Sequence, residues 1–220
     1  MEAPAPRERV PHGPGVNAVF RPTFTTSEGT HSAGTAFLVK WSEGRHVLLT
    51  AHHVFGREGG MGRDFESWEL PKLFVSLEAQ SIDDAHIELR TNQIVHIVGA
   101  KALSPTDLAA FLIADPGKAG ALSFAAESPI PGARIHLLGA LINRRGRMWP
   151  ARVMRVTDEV IYYTFEDSTL NLNATSGAPL LDERGQVVGM NVGVGRLGGV
   201  DVFLGLPASA IHTMLSSALP

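Results

Sequence analysis

Ser176 lies in "NATSGAPLLD", between a small polar residue and Gly177 and three residues before Pro179. A serine hydroxyl is a weak nucleophile at neutral pH; it needs an adjacent base, and the base needs an orienting carboxylate. The chain offers one candidate for each role. "LLTAHHVF" places His52 and His53 at the end of an apolar run, where a side chain can face a cleft. "SPTDLAAFLI" places Asp107 at the start of another. The three follow one another as His53, Asp107 and Ser176. No G-x-S-x-G surrounds Ser176, which argues against the strand-to-helix nucleophile elbow. The chain has no cysteine, so a thiol nucleophile, a thiolate zinc site and disulfides are excluded.

Such residues act only if a scaffold brings them together. With 220 residues, 44% hydrophobic and 19% charged, the chain suits one large globular domain or two packed halves. A net charge of −3 gives no electrostatic ground for nucleic-acid binding. No run of about eighteen apolar residues is present to span a membrane as a helix. The start, "MEAPAPRERVPHGPG", reads as a flexible leader over 1–15 without an apolar signal core. That and the lack of cysteine favour the cytoplasm, while a trimmed signal would leave a secreted or periplasmic protein open. The oligomeric state is not legible.

Short β-type runs separated by turn signals dominate, and 23 glycines and 14 prolines supply the turns. "VNAVFRPTF", "GTAFLVKW", "HVLLTA", "KLFVSLEA", "HIELRTNQIVHIV" and "LAAFLIA" supply strands in the first half, although "PTDLAAF" also admits a helix. "DPGKAG" marks a break, giving halves of 16–116 and 117–220. In the second half "GARIHLLGA", "RMWPARVMRVT", "EVIYYTFE", "APLLDERGQVVGMNVG" and "VDVFLGLP" read as strands, with a hairpin turn at Asp182 to Gly185. "PASAIHTMLSSAL" reads as a closing helix, its Ile211, Met214 and Leu215 on one face. The expectation is all-β: two six-stranded Greek-key barrels, His53 and Asp107 on the first and Ser176 on the second.

On these residues the sequence resembles the trypsin-like (chymotrypsin-fold) serine proteases, and within them the bacterial HtrA/Deg type, with no PDZ-like segment after Leu215. "HVLLTAHHV" resembles the family's T-A-x-H, which selects His53 over His52. "TDLAAFLI" is similar to its D-[IL]-A-[LIV], giving Asp107, and "SGAPLLDERGQVVGMNVG" to its S-G-G-P-L strand pair, giving Ser176. "VFLGLPASAI" resembles the lead into the closing helix of HtrA-type domains. The resemblance implies a catalytic triad, an acyl-enzyme, a protein or peptide substrate, and neither metal nor cofactor. It also implies an oxyanion hole from the backbone N–H groups of Ala174 and Ser176. A primary specificity pocket would form between Leu170 and the Val192, Gly193, Val194 strand, favouring a small or medium apolar residue; Asp201 would favour a basic one.

Ala174 stands where the family has glycine. Alanine reaches a positive φ at a cost of roughly 1–2 kcal/mol. The loop is then strained but competent, or flipped at rest, or part of a catalytically weak or inactive domain that binds peptides or partners. An esterase on the same fold is also open. Other features have plainer readings. His52 is structural, since strand neighbours face opposite ways and cannot readily share one ion with His53. G-x-G-x-x-G at Gly193, Gly195 and Gly198 precedes a strand, not the helix a dinucleotide site needs. "NRRGR" from Asn143 to Arg147 reads as a solvated loop, and "FESWEL" as cover for the first barrel.

Overall fold

The computed structural model describes residues 15–142, 144 and 146–219. The expected leader therefore falls, apart from Gly15, outside the described residues, as do Asn143 and Arg145 of the arginine loop.

The first half carries eight strands: β1 (Val19–Thr26), β2 (Gly29–Ser32), β3 (Ala36–Lys40), β4 (His46–Thr50), β5 (Phe74–Ser81), β6 (Glu88–Thr91), β7 (Ile94–Val95) and β8 (Ala109–Ile113). β1 shows the period of two: Phe20, Pro22 and Phe24 are buried, while Arg21, Thr23 and Thr25 face outward. The hydrogen-bonded path runs β6-β5-β1-β3-β4-β8-β7 as a curled sheet, with β2 added beside β1. Its two ends, β6 and β7, are successive pieces of one extended segment interrupted at Asn92 and Gln93. There Leu112 N–H donates to the Gln93 carbonyl at 3.0 Å, and Thr91 Oγ1 donates to the Leu112 carbonyl at 2.7 Å. The first barrel thus closes through the chain and these bonds, not through a continuous ladder. "AAF" opens strand β8, not a helix: Ala109, Ala110 and Phe111 are buried and paired to β4.

The second half is a closed barrel in the order β10-β11-β14-β13-β12-β9. Its strands are β9 (Arg134–Leu138), β10 (Met148–Val156), β11 (Ile161–Phe165), β12 (Pro179–Leu181), β13 (Val187–Leu197) and β14 (Val200–Pro207). The β12–β13 hairpin turns where expected: Asp182 Oδ1 accepts the N–H groups of Arg184 and Gln186, and Gly185 takes φ +78°. The glycine-rich stretch is likewise a hairpin, turned by Gly198 and Gly199 between β13 and β14. Helix α2 (Ala208–Ala218) follows Pro207 and buries Ile211 and Leu215 fully. These two join Leu181, Met190 and Leu206 in one apolar cluster with the first-half core, so the halves share an interior.

Two arginines cross between the halves. Arg147, from the "NRRGR" loop, pairs with Asp83 of the β5–β6 loop at 2.5 Å, with side chains only 18% and 7% exposed. The sequence reading of that loop as merely solvated is thereby corrected for Arg147. Arg21 of β1 reaches the second half at the candidate site. The insertion after His53 does cover the first barrel: Phe65 and Leu70 are each 4% exposed, and Leu70 opens the short helix α1 (Leu70–Leu73).

Candidate active site

β4 ends at Thr50, and the chain turns at once into a 3₁₀ turn over His52–Phe55 that buries all four side chains. This turn separates the two histidines. His52 Nε2 bonds the Phe65 carbonyl at 2.7 Å, anchoring the insertion, which leaves it a structural residue. His53 turns instead to Asp107. His53 Nδ1 lies 2.7 Å from Asp107 Oδ2, and His53 N–H donates to Asp107 Oδ1 at 2.9 Å. Leu103 N–H adds a third donor to Oδ2 at 3.0 Å. Asp107 is fully buried, so each of these bonds acts in a weakly screened interior. The carboxylate accepts at Nδ1, which fixes the tautomer and leaves Nε2 as the ring's free acceptor.

Ser176 comes from the loop before β12, and the first half docks that loop at both sides of Thr175. Thr35 N–H donates to the Ser176 carbonyl at 2.8 Å, and Thr35 Oγ1 donates to the Ala174 carbonyl at 2.7 Å. Thr50 Oγ1, at the end of β4, donates in turn to the Thr35 carbonyl at 2.7 Å. The approach is close enough to require glycine twice. Gly34 takes φ +68°, and a Cβ there would press on the Ser176 carbonyl and on Val54, next to His53. Gly177 takes φ +86°, and a Cβ there would overlap the Thr35 carbonyl and the Thr50 hydroxyl. His53 Nε2 and Ser176 Oγ make no hydrogen bond to each other among the described residues; catalytic contacts commonly tighten only with substrate in place.

Behind the loop stands a buried polar prop that sequence reasoning missed. Tyr163 of β11 donates from its hydroxyl to Asn191 Oδ1 at 2.7 Å. Asn191 Nδ2 donates to the Thr175 carbonyl and to Thr175 Oγ1, each at 3.1 Å. Burial pushes the Tyr163 phenol well above its ordinary range, so it remains a donor. An asparagine inside the apolar "VVGMNVGV" was the available signal, since a buried amide demands partners.

Ala174 takes φ +65°, the left-handed region, and is exposed. The N–H groups of Ala174 and Ser176 have no hydrogen-bond acceptor among the described residues, whereas those of Asn173, Thr175, Gly177 and Ala178 are all taken. The loop therefore offers two unpaired donors, one on the serine itself and one two residues before it.

The hydrogen-bond network leaves the expected specificity residues outside it. Leu170 is half-buried in the loop after β11. A bulge in β13 makes Val192 the extra residue between the Asn191–Gly205 and Gly193–Leu204 pairs, and turns it inward at 8% exposure. From Gly193 onward β13 pairs with β14 alone, so its other edge is open, and Val194 there is 72% exposed. Asp201 is 83% exposed and ion-paired to Arg196 at 2.9 Å, across the β13–β14 hairpin.

The comparisons with known proteins agree with this fold. A family model described as a trypsin-like peptidase domain matches residues 34–190. Among solved structures, the active form of the Rv3671c protease from M. tuberculosis is 18% identical. It aligns over 99% of this chain and 95% of its own at a TM-score of 0.62. The HtrA-type protease AlgW with tripeptide is 20% identical over 93% of this chain and 61% of its own, at a TM-score of 0.61. A serine endoprotease from Yersinia pestis is 15% identical over 96% and 68%, at a TM-score of 0.60. At such identities the likeness speaks for the fold. No curated protein matches the chain by sequence at a significant level.

Proposed function

Because this chain belongs to the trypsin-like peptidase family, we propose that it is a serine endopeptidase working through His53, Asp107 and Ser176. The observation that carries this reading is the two-point grip of buried Asp107 on His53, with the Ser176 loop docked on Thr35, whose carbonyl is held by Thr50 at the end of β4, three residues before that histidine. In the mechanism His53 Nε2 takes the proton as Ser176 Oγ attacks the scissile carbonyl carbon. The resulting oxyanion is received by the N–H groups of Ala174 and Ser176, where such donors are each worth about 10²–10³ in kcat. The C–N bond then breaks, the amine leaves with the proton from His53, and an acyl-enzyme remains. Water, deprotonated by His53, attacks that ester and frees the acid and Ser176.

The open edge of β13 from Gly193 suits an extended peptide, which would add to it as a further strand. We assign the primary specificity pocket to Leu170 and Val192, with a small or medium apolar residue preferred before the scissile bond. The exposed pairing of Asp201 with Arg196 supports this over a basic preference.

Labelling by a fluorophosphonate probe tests the reading. The folded chain takes one label at Ser176, and prior denaturation or Ser176→Ala abolishes it. A folded chain that takes no label is a peptide-binding module on a protease fold.

A further inference from the structure

Ala174 sits in a backbone region that strains an alanine, and something must hold it there. Its carbonyl receives two donors, both from the first half. One is Thr35 Oγ1 at 2.7 Å; the other is Arg21 Nη1 at 3.2 Å. Arg21 is itself braced, since Nη2 donates to the Ala140 carbonyl at 2.7 Å, just past β9. One planar fork thus ties two backbone carbonyls of the second half to β1 of the first. The two donors fix the Ala174–Thr175 peptide plane, on the C-terminal side of the positive-φ residue.

We propose that Arg21 is a positioning residue that, through the Ala174 carbonyl, holds the loop in the conformation presenting the Ala174 and Ser176 N–H groups. This inference rests on the reading of Ser176 as nucleophile. Arg21 touches no reacting atom; it acts on the residue that replaces the family's glycine. It also lines, with Gly34 and Ala174, a surface cleft of about 410 Å³, so a peptide substrate could sense it in a second way. A probe without a peptide on the leaving side removes that ambiguity.

The experiment compares the rate of Ser176 labelling by diisopropyl fluorophosphate in the parent chain, Arg21→Met, Ala174→Gly and the double variant, with Tm measured for each. Arg21→Met is expected to label roughly 10-fold to 100-fold more slowly, up to the lower end of the roughly 10²–10³ that outright loss of an oxyanion donor costs. The double variant is expected to recover to within about threefold of Ala174→Gly, because glycine takes a positive φ without a clamp. A general structural role for Arg21 would give no such recovery. Labelling of Arg21→Met at the parent rate, or a double variant as slow as Arg21→Met, overturns the proposal while leaving the nucleophile assignment standing. A parent chain that takes no label overturns both. If Arg21→Met fails to fold, Arg21→Lys is read by the same rates, since an ammonium keeps the charge but cannot span both carbonyls.

Discussion

Asp107 holds His53 at two atoms, backbone N–H to Oδ1 and ring Nδ1 to Oδ2, at 2.9 and 2.7 Å. The carboxylate therefore sets both the ring's tautomer and its place. Asp107→Asn keeps the shape but presents an NH₂ toward one of these donors, so the ring loses either its acceptor or its preferred tautomer. The expected result is a fall in kcat of about 10⁴ on a peptide or ester substrate, with Tm changed far less than activity. A variant within about tenfold of the parent would remove Asp107 from the machinery.

His53 and Asp107 were legible because each lies in a short local pattern, T-A-x-H after an apolar strand and D-L-A before one. The strands read well where apolar residues ran in blocks, as in "AFLVK" and "HVLLT". β2 was not legible, since Gly29–Ser32 is short and wholly polar, and its pairing with β1 is decided by register across a turn. "LAAF" could not be told from a helix by a five-residue period. Arg21 was the hardest to see: its partner Ala174 lies 153 residues on, and "VFRPTF" shows only one arginine on an outward face. Local pattern marks the groups that react; the groups that hold them emerge from packing between distant segments.

Gly177→Ala tests whether loop docking is as tight as Thr35 and Thr50 make it. The position combines φ +86° with backbone and hydroxyl atoms where a Cβ would stand. The loop must shift away from Thr35, which costs more than about 1 kcal/mol and displaces Ser176. Activity is expected to fall about 10²-fold, since small misplacements at a reacting centre carry such penalties. Retained turnover would mean that the loop adapts without losing the serine's position.

Asp83→Ala tests the tie between the halves. Asp83 Oδ2 receives both Arg147 and the Asn17 N–H, the latter at 2.7 Å, in a half-sheltered place. Loss of a charged acceptor serving two donors is expected to cost about 2 kcal/mol. The unfolding midpoint in urea should fall accordingly, and the difference from the parent should shrink in high salt far less than for the exposed Arg196–Asp201 pair. A cost below about 0.5 kcal/mol would show that the ion pair is no more than a surface contact.

Tyr163→Phe tests the buried prop and has a pH dependence of fixed sign. In an unfolded chain tyrosine ionises near pH 10. In the fold, burial raises the Tyr163 pKa above that value. Between the two, the unfolded state binds fewer protons than the folded state, so stability falls as pH rises. For this one group the slope approaches about 1.4 kcal/mol per pH unit above pH 10. Phenylalanine removes that slope but leaves Asn191 Oδ1 without its donor, which costs about 1–3 kcal/mol at neutral pH. Urea midpoints measured from pH 7 to pH 11 should therefore show the parent ahead at pH 7 and the gap closing above pH 10. A constant gap would mean that the phenol finds water when the parent is folded. Because Asn191 also holds Thr175, beside Ser176, turnover at pH 7 should drop several-fold in the same variant even where it stays folded.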